Sequence, residues 1–428
     1  MTERQAQIIG LIHREVKPAL GCTEPIAVAL AVAKAVETLG SIDRMLDDIR
    51  LDISLSGNIL KNGMGVGIPG TGMIGLHIAS ALGAVCGDSS FGLEVLNNTT
   101  PEAIERAKQI VDKGLVNISI ADTPHKLYVK AVVSNGVHTA EAVIEDSHDH
   151  FVKLQHDSDI IFDIEGKAEE EGESGDYGIT VREIVEFAET AEYKDIEFIL
   201  DDRKLNRALA EEGLTGNYGL CVGKTIMADK EGALGSSFLT FAMALTAAAS
   251  DARMAGCTLP AMSNSGSGNQ GITVSMPVIA YAEKYGISDE RLARALILSN
   301  LVAIHIKNFV GKLSALCGCV VASTGSACGM IWLRGGNYEQ ICATIKNMIG
   351  NITGMVCDGA KVGCAMKVAS GVSSAIQSAL LAFEGQCVSK HDGIIDEDIE
   401  KTIENLGKVG SVGMQETDNV ILNIMVCK

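Results

Sequence analysis

The spacing of apolar positions changes twice along the chain. Apolar side chains recur every three or four residues through residues 3–17 and again from about 25 to 39, which predicts two helices. From residue 49 apolar and polar residues alternate in IRLDISLSG, VNISIAD, KLYVKAVVSN and HTAEAVIED, and alternation predicts half-buried strands. After an acidic, glycine-punctuated segment at 164–176, helical spacing returns and continues nearly to the C-terminus.

These elements predict an α+β fold in which a large, mostly helical domain carries a smaller inserted α/β domain. We expect an N-terminal helical arm (1–42) that packs on the large domain, a small α/β domain (43–160) and a helical domain (161–428). The helices expected in the last region are 179–193, 201–213, 232–255, 274–285, 288–308, 338–350, 366–383 and 395–405.

The charge balance narrows the range of partners. The chain has 35 basic and 54 acidic residues and a formal net charge of −19, so phosphate backbones and anionic lipid surfaces would repel it. Aromatic residues make up only 4% of the chain, which is poor for stacking on nucleic-acid bases. We therefore expect neither a nucleic acid nor a membrane as partner.

The N-terminus and the best candidate for a membrane span indicate a cytoplasmic protein. MTERQAQIIGLIHREVKPALG mixes charged residues into its first apolar stretch and lacks the uninterrupted apolar run of a secretory signal. Residues 232–250 are mildly apolar and rich in Ala, Gly and Ser, which favours a buried core helix over a membrane span. In the cytoplasm the twelve cysteines are not expected to form a disulfide framework.

Five cysteines lie beside glycine-rich turns, where backbone can approach a cofactor closely. They are Cys317, Cys319 and Cys328 in LCGCVVASTGSACG, and Cys357 and Cys364 in CDGAKVGCAMK. Thiolates are the ligands of iron–sulfur clusters, and the segment lacks the C-x2-C knuckle that favours zinc. Free cysteines are also common as small core residues. Spacing alone favours that second interpretation.

Cys22 stands at a predicted helix start. It precedes Thr23, which can cap the helix, and Pro25, which fits a first helical turn. The positive end of a helix dipole is expected to lower the pKa of a thiol in this position. A thiol buried at a helix junction is the alternative.

Two glycine-rich loops are candidate cradles for a small polar ligand. SGNILKNGMGVGIPGTG (56–72) and SNSGSGNQG (263–271) combine side-chain donors with runs of backbone N–H groups. Either could be a tight turn without function, because glycine-rich loops alone are weak signals. The side chains they offer are Ser56, Asn58, Lys61, Asn62, Ser265, Ser267 and Asn269.

Four motifs in one order along the chain carry a resemblance to a known family. GCTEP, SGNILKNGMGVGIPGTG, LCGCVVASTGSACG and CDGAKVGCAMK together resemble the L-cysteine desulfidase family, whose relatives include the iron–sulfur L-serine dehydratase alpha chain. The stretch IHIKNFVGKLSALCGC also resembles the serine dehydratase segment that contributes a cluster cysteine.

The resemblance implies a [4Fe-4S] cluster held by three cysteines in the helical domain, with one iron left without a protein ligand. Carried onto this sequence, the ligands are Cys317, Cys357 and Cys364, with Cys319 as the alternative to Cys317. The C-x6-C spacing of the last pair is shorter than in serine dehydratases and favours the desulfidase branch. Such a cluster is sensitive to air. The resemblance does not extend to Cys427.

The implied activity is elimination of hydrogen sulfide from L-cysteine, which yields pyruvate, ammonia and sulfide. Cys22 is the candidate base for the substrate α-proton. The candidates for holding the substrate carboxylate and amine are Ser56, Asn58, Asn62 and Asn269.

Three alternatives stay open at this level. The same cluster could serve an L-serine dehydratase. SGSGNQG resembles a loop of pyridoxal-phosphate β-eliminating lyases, although Lys61 precedes Asn269 by 208 residues (269 − 61), which disagrees with the order in those enzymes. The third is a non-catalytic amino-acid-binding protein. In each case the partner is a small amino acid, and a homodimer is compatible with the sequence.

Overall fold

A mixed β-sheet formed between residues 50 and 163 packs against helices, and a larger helical region follows it. The computed structural model describes residues 2–40, 49–164, 178–229, 232–235, 237–311 and 314–427. The expected domain boundary at 42/43 and almost all of the acidic segment at 164–176 lie outside the described residues.

The α-helices are α1 (Glu3–Glu15), α2 (Thr23–Thr38), α3 (Gly57–Gly63), α4 (Leu76–Cys86), α5 (Pro101–Asp112), α6 (Val181–Thr190), α7 (Tyr193–Ile196), α8 (Asp201–Thr215), α9 (Val222–Met227), α10 (Phe238–Met254), α11 (Gly268–Tyr285), α12 (Asp289–Val310), α13 (Gly318–Leu333), α14 (Tyr338–Ile352), α15 (Cys364–Phe383), α16 (Ile399–Lys408) and α17 (Gln415–Val426). The strands are β1 (Pro18–Ala19), β2 (Arg50–Leu55), β3 (Val116–Ile120), β4 (Tyr128–Ser134), β5 (Thr139–Glu145), β6 (Phe151–His156), β7 (Asp159–Asp163) and β8 (Ala261–Met262).

The larger sheet has the strand order β3-β2-β4-β5-β6-β7. β2 and β3 are parallel, while the other neighbours are antiparallel. Burial alternates along β4, where Val129, Ala131 and Val133 are fully buried, because alternate side chains of a strand point to opposite faces. The predicted period-two strands are therefore confirmed, and the α+β class with them.

The apolar residues form two main cores. One core joins the sheet to α2, α4 and α5, and the other fills the helical region from α6 to α16. The N-terminal arm is divided between them. α1 packs with the helical core, whereas α2 packs on the sheet. The reason is that α2 buries apolar residues around most of its circumference, and only the sheet and α4 together can cover them.

The helices of the large core approach one another closely. A Cβ atom at Gly325 on α13 would lie 2.4 Å from the carbonyl oxygen of Ser299 on α12, so the small residue permits the packing of these two helices. α12 is also the described helix that is long and apolar enough to span a membrane, and 83% of its most apolar window is buried in the protein. That burial is typical of a core helix.

Candidate active site

A short two-stranded ladder brings the first motif to the second glycine-rich loop. Pro18 pairs with Met262 and Ala19 with Ala261. Beyond the ladder, the N–H of Ser263 donates to the carbonyl of Lys17 at 2.8 Å. Cys22 follows the first strand and begins α2, while the SNSGSGNQG loop follows the second and begins α11. The two segments therefore lie side by side.

A second backbone pairing joins two of the candidate ligand cysteines. The N–H of Cys317 donates to the carbonyl of Met355 at 3.0 Å, and the N–H of Cys357 donates to the carbonyl of Ala315 at 2.7 Å. Cys317 occupies the N-cap position of α13. Both thiols are therefore held by the same bridge.

Cys364, the first residue of α15, completes this group. Its side chain packs with Cys22 and Val66. A charge on Cys364 also raises the pKa of Cys317 and of Cys22, and a charge on Cys357 raises the pKa of Cys364. The structure thus brings Cys22, Cys317, Cys357 and Cys364 to one place, although the first and last of them are 342 residues apart (364 − 22).

Burial has the largest effect on the pKa of Cys317 and of Cys364. It raises the pKa of Cys317 to about 12, with the neighbouring Cys357 and Cys364 adding to the increase. It also raises the pKa of Cys364, against smaller lowering effects from Lys361 and Lys367. A bound metal supplies the positive charge that keeps such buried thiols deprotonated.

Cys319, whose pKa burial raises, also lies close enough to Cys317 and Cys364 for their charges to add to the increase, but its sulfur is engaged with α15. Its Sγ donates to the carbonyl of Lys367 at 3.2 Å. A Cβ at Gly371 on α15 would lie 2.5 Å from the same sulfur. Cys319 therefore fills the contact between α13 and α15, while Cys317 is the thiol beside Cys357. Cys328 is fully buried further along α13 and lies near Cys342.

Two lysines place positive charge beside the cysteine group. Lys307 on α12 is 8% exposed, and burial lowers its pKa against the charges of Cys357 and Cys317. Lys367 donates to the carbonyl of Val356 at 2.7 Å and forms an ion pair with Asp358. Cations next to thiols favour the thiolate form.

Cys22 stands at a helix start, as predicted, but the direction of its pKa shift is opposite to the prediction. Cys22 itself is the N-cap of α2, and Thr23 is the first helical residue rather than the cap. Burial raises the pKa of Cys22 to about 12 and outweighs the lowering by Arg253, which is also a hydrogen-bond partner. Because the thiol is only 5% exposed, the loss of hydration raises its pKa by more than the helix dipole lowers it.

The predicted substrate-binding side chains lie in different surroundings. The Ser56 hydroxyl is 3% exposed, donates to the carbonyl of Lys126 at 2.8 Å and accepts from the N–H of Tyr128, so it supports the corner between β2 and α3. Asn58 is half-buried on α3. The two others contact the surroundings of Cys22, since Asn62 donates to Glu24 at 3.1 Å and Asn269 accepts from Arg253 at 3.3 Å.

Two site residues escape the sequence analysis. Arg253 on α10 is 5% exposed, and its Nη2 donates to the carbonyl of Gly21 at 2.8 Å. Gln270 is 2% exposed, and its Oε1 has no partner among the described residues. An ideal Cβ at Gly318, next to Cys317, would lie 3.0 Å from that oxygen. A charged residue in the alanine-rich stretch TAAASDARMAG was the signal that could have revealed Arg253.

A buried chain of side-chain amides holds Gln270 in place. Its Nε2 donates to Asn264 at 2.8 Å, Asn264 donates to Asn300 at 2.8 Å, and Asn300 donates to Asp202 at 2.9 Å. All four are nearly inaccessible to solvent. Burial raises the pKa of Asp202 to about 7, although the hydrogen bond from Asn300 lowers it.

Lys61 and Asp418 form a buried ion pair between α3 and the C-terminal helix α17. The lysine side chain is 3% exposed. Leu422 and Met425 of α17 also approach the glycines of the site, at Gly57 and Gly359. The C-terminal helix therefore covers the side of the site that the first glycine-rich loop forms.

Comparison with known proteins gives a family and several close relatives. Residues 90–423 match the family described as serine dehydratase alpha chain. A UPF0597 protein of Bacteroides fragilis is 50% identical over 431 positions, which cover 100% of both chains. Similar proteins occur in Oleidesulfovibrio alaskensis (51% identity, 99% of this chain and 98% of the relative) and Porphyromonas gingivalis (47%, 100% and 99%), both also named UPF0597 protein.

Proposed function

The chain belongs to the serine dehydratase alpha chain family, and on that premise we propose that it is an iron–sulfur lyase that eliminates hydrogen sulfide from L-cysteine. The observation that carries the proposal is the convergence of Cys317, Cys357 and Cys364 beside Cys22. A dehydratase breaks a bond at Cβ of an amino acid, and loss of sulfide from cysteine is the same reaction with another leaving group.

The donor set fits a cluster better than a single ion. Within the described ranges no three cysteine sulfurs lie within 4.8 Å of one another. Three thiolates on one zinc ion would lie about 3.8 Å apart, given bonds of about 2.3 Å in a tetrahedron. Thiolates that hold different irons of one cluster are more widely spaced, and Cys317, Cys357 and Cys364 are the candidate ligands. When bound, the cluster would supply a Lewis-acidic iron without a protein ligand, which favours departure of the substrate sulfur.

Cys22 accepts the α-proton in this proposal as its thiolate, a minor form because burial raises the pKa of the thiol to about 12, while the neighbouring Arg253 favours it. Its thiol lies next to Cys364 and Arg253, so a substrate bound at the cysteine group would present its Cα to the Cys22 sulfur. The Cα–H electrons form the Cα–Cβ double bond, and sulfide leaves with the electron pair of the C–S bond. The aminoacrylate product becomes pyruvate and ammonia by hydrolysis, with no net oxidation.

The charge around the site supports an anionic substrate group. Lys307 and Arg253 are buried there, with 8% and 5% exposure, in a chain whose net charge is −19. A small amino acid with its carboxylate fits a site that buries these two cations.

The rival pyridoxal-phosphate mechanism has less support. A Schiff-base lysine must be free to react with an aldehyde as the neutral amine. The ammonium of Lys61 is instead paired with Asp418 in a buried contact with α17, so Lys61 is a packing residue.

The first test is anaerobic reconstitution with iron and sulfide, followed by measurement of bound iron and of sulfide and pyruvate release. We expect equal release of both products from L-cysteine, and much slower pyruvate release from L-serine because hydroxide is the poorer leaving group.

Cys357→Ala and Cys364→Ala should lose most of the iron and the activity. Cys387→Ala is the matched control, since Cys387 is exposed and should behave as the wild type. A protein that gains no iron would contradict the proposal, and comparable turnover of serine would replace it by a serine dehydratase.

The role of Cys22 has a separate test. In D2O the wild-type protein should exchange the α-proton of substrate or of a slowly eliminated analogue, whereas Cys22→Ser should keep its iron and lose the exchange. A Cys22→Ser variant that exchanges the proton at the wild-type rate would assign the base to another residue.

A further inference from the structure

Arg253 is a buried cation without a carboxylate partner. It is 5% exposed and stands one residue before the end of α10. Its hydrogen bonds go to the carbonyl oxygen of Gly21, the side-chain oxygen of Asn269 and the Cys22 thiol. All of these acceptors are neutral, and Nε has no partner among the described residues. A buried guanidinium whose charge is unopposed is costly to the fold.

The nearby acids do not fill this role. Glu24 accepts hydrogen bonds from Thr23 at 3.3 Å and Asn62 at 3.1 Å. Asp251, on the same helix as Arg253, accepts from the N–H of Gly223 at 2.9 Å. Within the described part of the chain, Arg253 has no Asp or Glu oxygen within 4.0 Å. The anion that opposes its charge therefore comes from outside the chain or from the reacting thiol.

The backbone around Arg253 fixes the orientation of the guanidinium. An ideal Cβ at Gly268 would lie 2.2 Å from Nε and 2.6 Å from Cζ, so the planar group lies flat against residue 268. Gly21 holds its other edge through the 2.8 Å bond. A guanidinium held in this way is pre-organised for a planar, charged ligand.

We propose that Arg253 binds the α-carboxylate of the amino-acid substrate and thereby presents Cα to Cys22. The inference rests on the proposed function and adds the recognition of the carboxylate to it. An arginine recognises a carboxylate through charge-assisted hydrogen bonds. Because Arg253 also contacts Gly21 and Cys22, a carboxylate on the guanidinium lies within reach of the same thiol. Substrates without a free carboxylate are excluded by the loss of this contact.

Two fragments of L-cysteine distinguish the contribution of the carboxylate to binding from that of the amine. 3-Mercaptopropionate keeps the thiol and carboxylate but lacks the amine, and cysteamine keeps the thiol and amine but lacks the carboxylate. Calorimetric titration of the anaerobically reconstituted protein measures the binding of each without turnover. We expect the wild type to bind 3-mercaptopropionate more tightly than cysteamine, and equal affinities would overturn the proposal without any variant.

Arg253→Gln should weaken 3-mercaptopropionate binding by roughly tenfold or more, since a charged hydrogen bond is lost, and leave cysteamine binding unchanged. Arg253→Lys should retain part of the preference. Gly268→Ala keeps the charge but displaces the guanidinium and should reproduce the loss. Iron content and the circular dichroism spectrum of each variant check that the site and the fold are intact.

The outcomes distinguish this inference from the proposed function. If L-cysteine is not turned over but the binding of 3-mercaptopropionate depends on Arg253, the carboxylate site stands and the lyase proposal fails. If Arg253→Gln binds both fragments as the wild type does and only the pH profile of turnover changes, Arg253 acts on the Cys22 thiol alone, and the carboxylate site is disproved.

Discussion

Arg253 donates a 2.8 Å hydrogen bond to the carbonyl oxygen of Gly21, a residue 232 positions earlier in the chain. This contact joins the end of α10 to the residue before Cys22. Here α10, which belongs to the helical core, meets the start of α2, which packs on the sheet. The candidate base is thus positioned by both cores.

The choice between Cys317 and Cys319 as cluster ligand leads to a first prediction. Cys319 is 7% exposed, and its sulfur is packed against α15 and bonded to the carbonyl of Lys367. Cys319→Ala should therefore keep its iron after reconstitution, while Cys317→Ala should lose most of it. Iron and acid-labile sulfide per chain measure both. If Cys319→Ala lost its iron and Cys317→Ala kept it, Cys319 would be the cluster ligand instead of Cys317.

The strands β2 to β5 were predictable because their signal is local, whereas β6 and β7 were not among the predicted strands. β4, for example, alternates over seven residues, and this period appears in the sequence without knowledge of any partner. β1 and β8 have two residues each and carry no period. Yet their pairing places Cys22 beside the SNSGSGNQG loop, so this part of the site could not be predicted.

The site was predictable only as far as local patterns and the family resemblance reach. The glycine-flanked cysteines were visible, and the resemblance grouped three of them. Arg253 was missed because a charged residue in an alanine-rich helix is a weak signal and does not indicate its contact with Gly21. The pKa of Cys22 was predicted in the wrong direction because burial is a property of the packed structure, and desolvation outweighs the helix terminus.

The close contact of α8 with α10 leads to a second prediction. A Cβ at Gly213 would lie 1.9 Å from the carbonyl oxygen of Ala248. Gly213→Ala should therefore destabilise the helical region by about 2 kcal/mol or more, since backbone must move. Urea unfolding followed by fluorescence of Trp332, the single tryptophan, which lies on α13, reports on this region.

The control for this change is Gly10→Ala on α1. Gly10 is exposed in mid-helix, and a Cβ there would meet nothing within 4 Å. Alanine should stabilise α1 by about 1 kcal/mol. Equal midpoints for the Gly213→Ala variant and the wild type would show that the two helices can separate without cost.

The ion pair of Lys61 with Asp418 predicts an asymmetry between its two partners. The lysine side chain is 3% exposed and the aspartate 19%. Asp418→Ala leaves a buried ammonium unopposed and should cost about 3 kcal/mol. Lys61→Met leaves a carboxylate that water can reach and should cost less. Thermal midpoints of both variants and of the double variant measure the difference, and a larger loss for Lys61→Met would disprove the argument.

The buried carboxyl of Asp202 predicts a pH dependence of stability. Burial raises its pKa from 3.8 to about 7, the charge of Asp201 adds to this, and the hydrogen bond from Asn300 opposes it. Between these two pH values the folded protein keeps a proton that the unfolded chain releases. The contribution to stability is therefore fully present below about pH 4 and is lost as the pH rises through about 7. Asp202→Asn removes this dependence and keeps an acceptor for Asn300.

The measurement compares the urea midpoints of Asp202→Asn and the wild type at pH 4.5, 6 and 7.5, again with Trp332 as the probe. The variant should gain stability relative to the wild type as the pH rises, by at most about 4 kcal/mol over the whole range. Asp289→Asn is the control, because the hydrogen bond from Arg203 lowers the pKa of that exposed carboxyl. Its stability relative to the wild type should stay constant or fall slightly as the pH rises. Parallel pH curves for Asp202→Asn and the wild type would show that Asp202 is ionised in the folded protein throughout, because its charge would then be as well solvated in the core as in the unfolded chain.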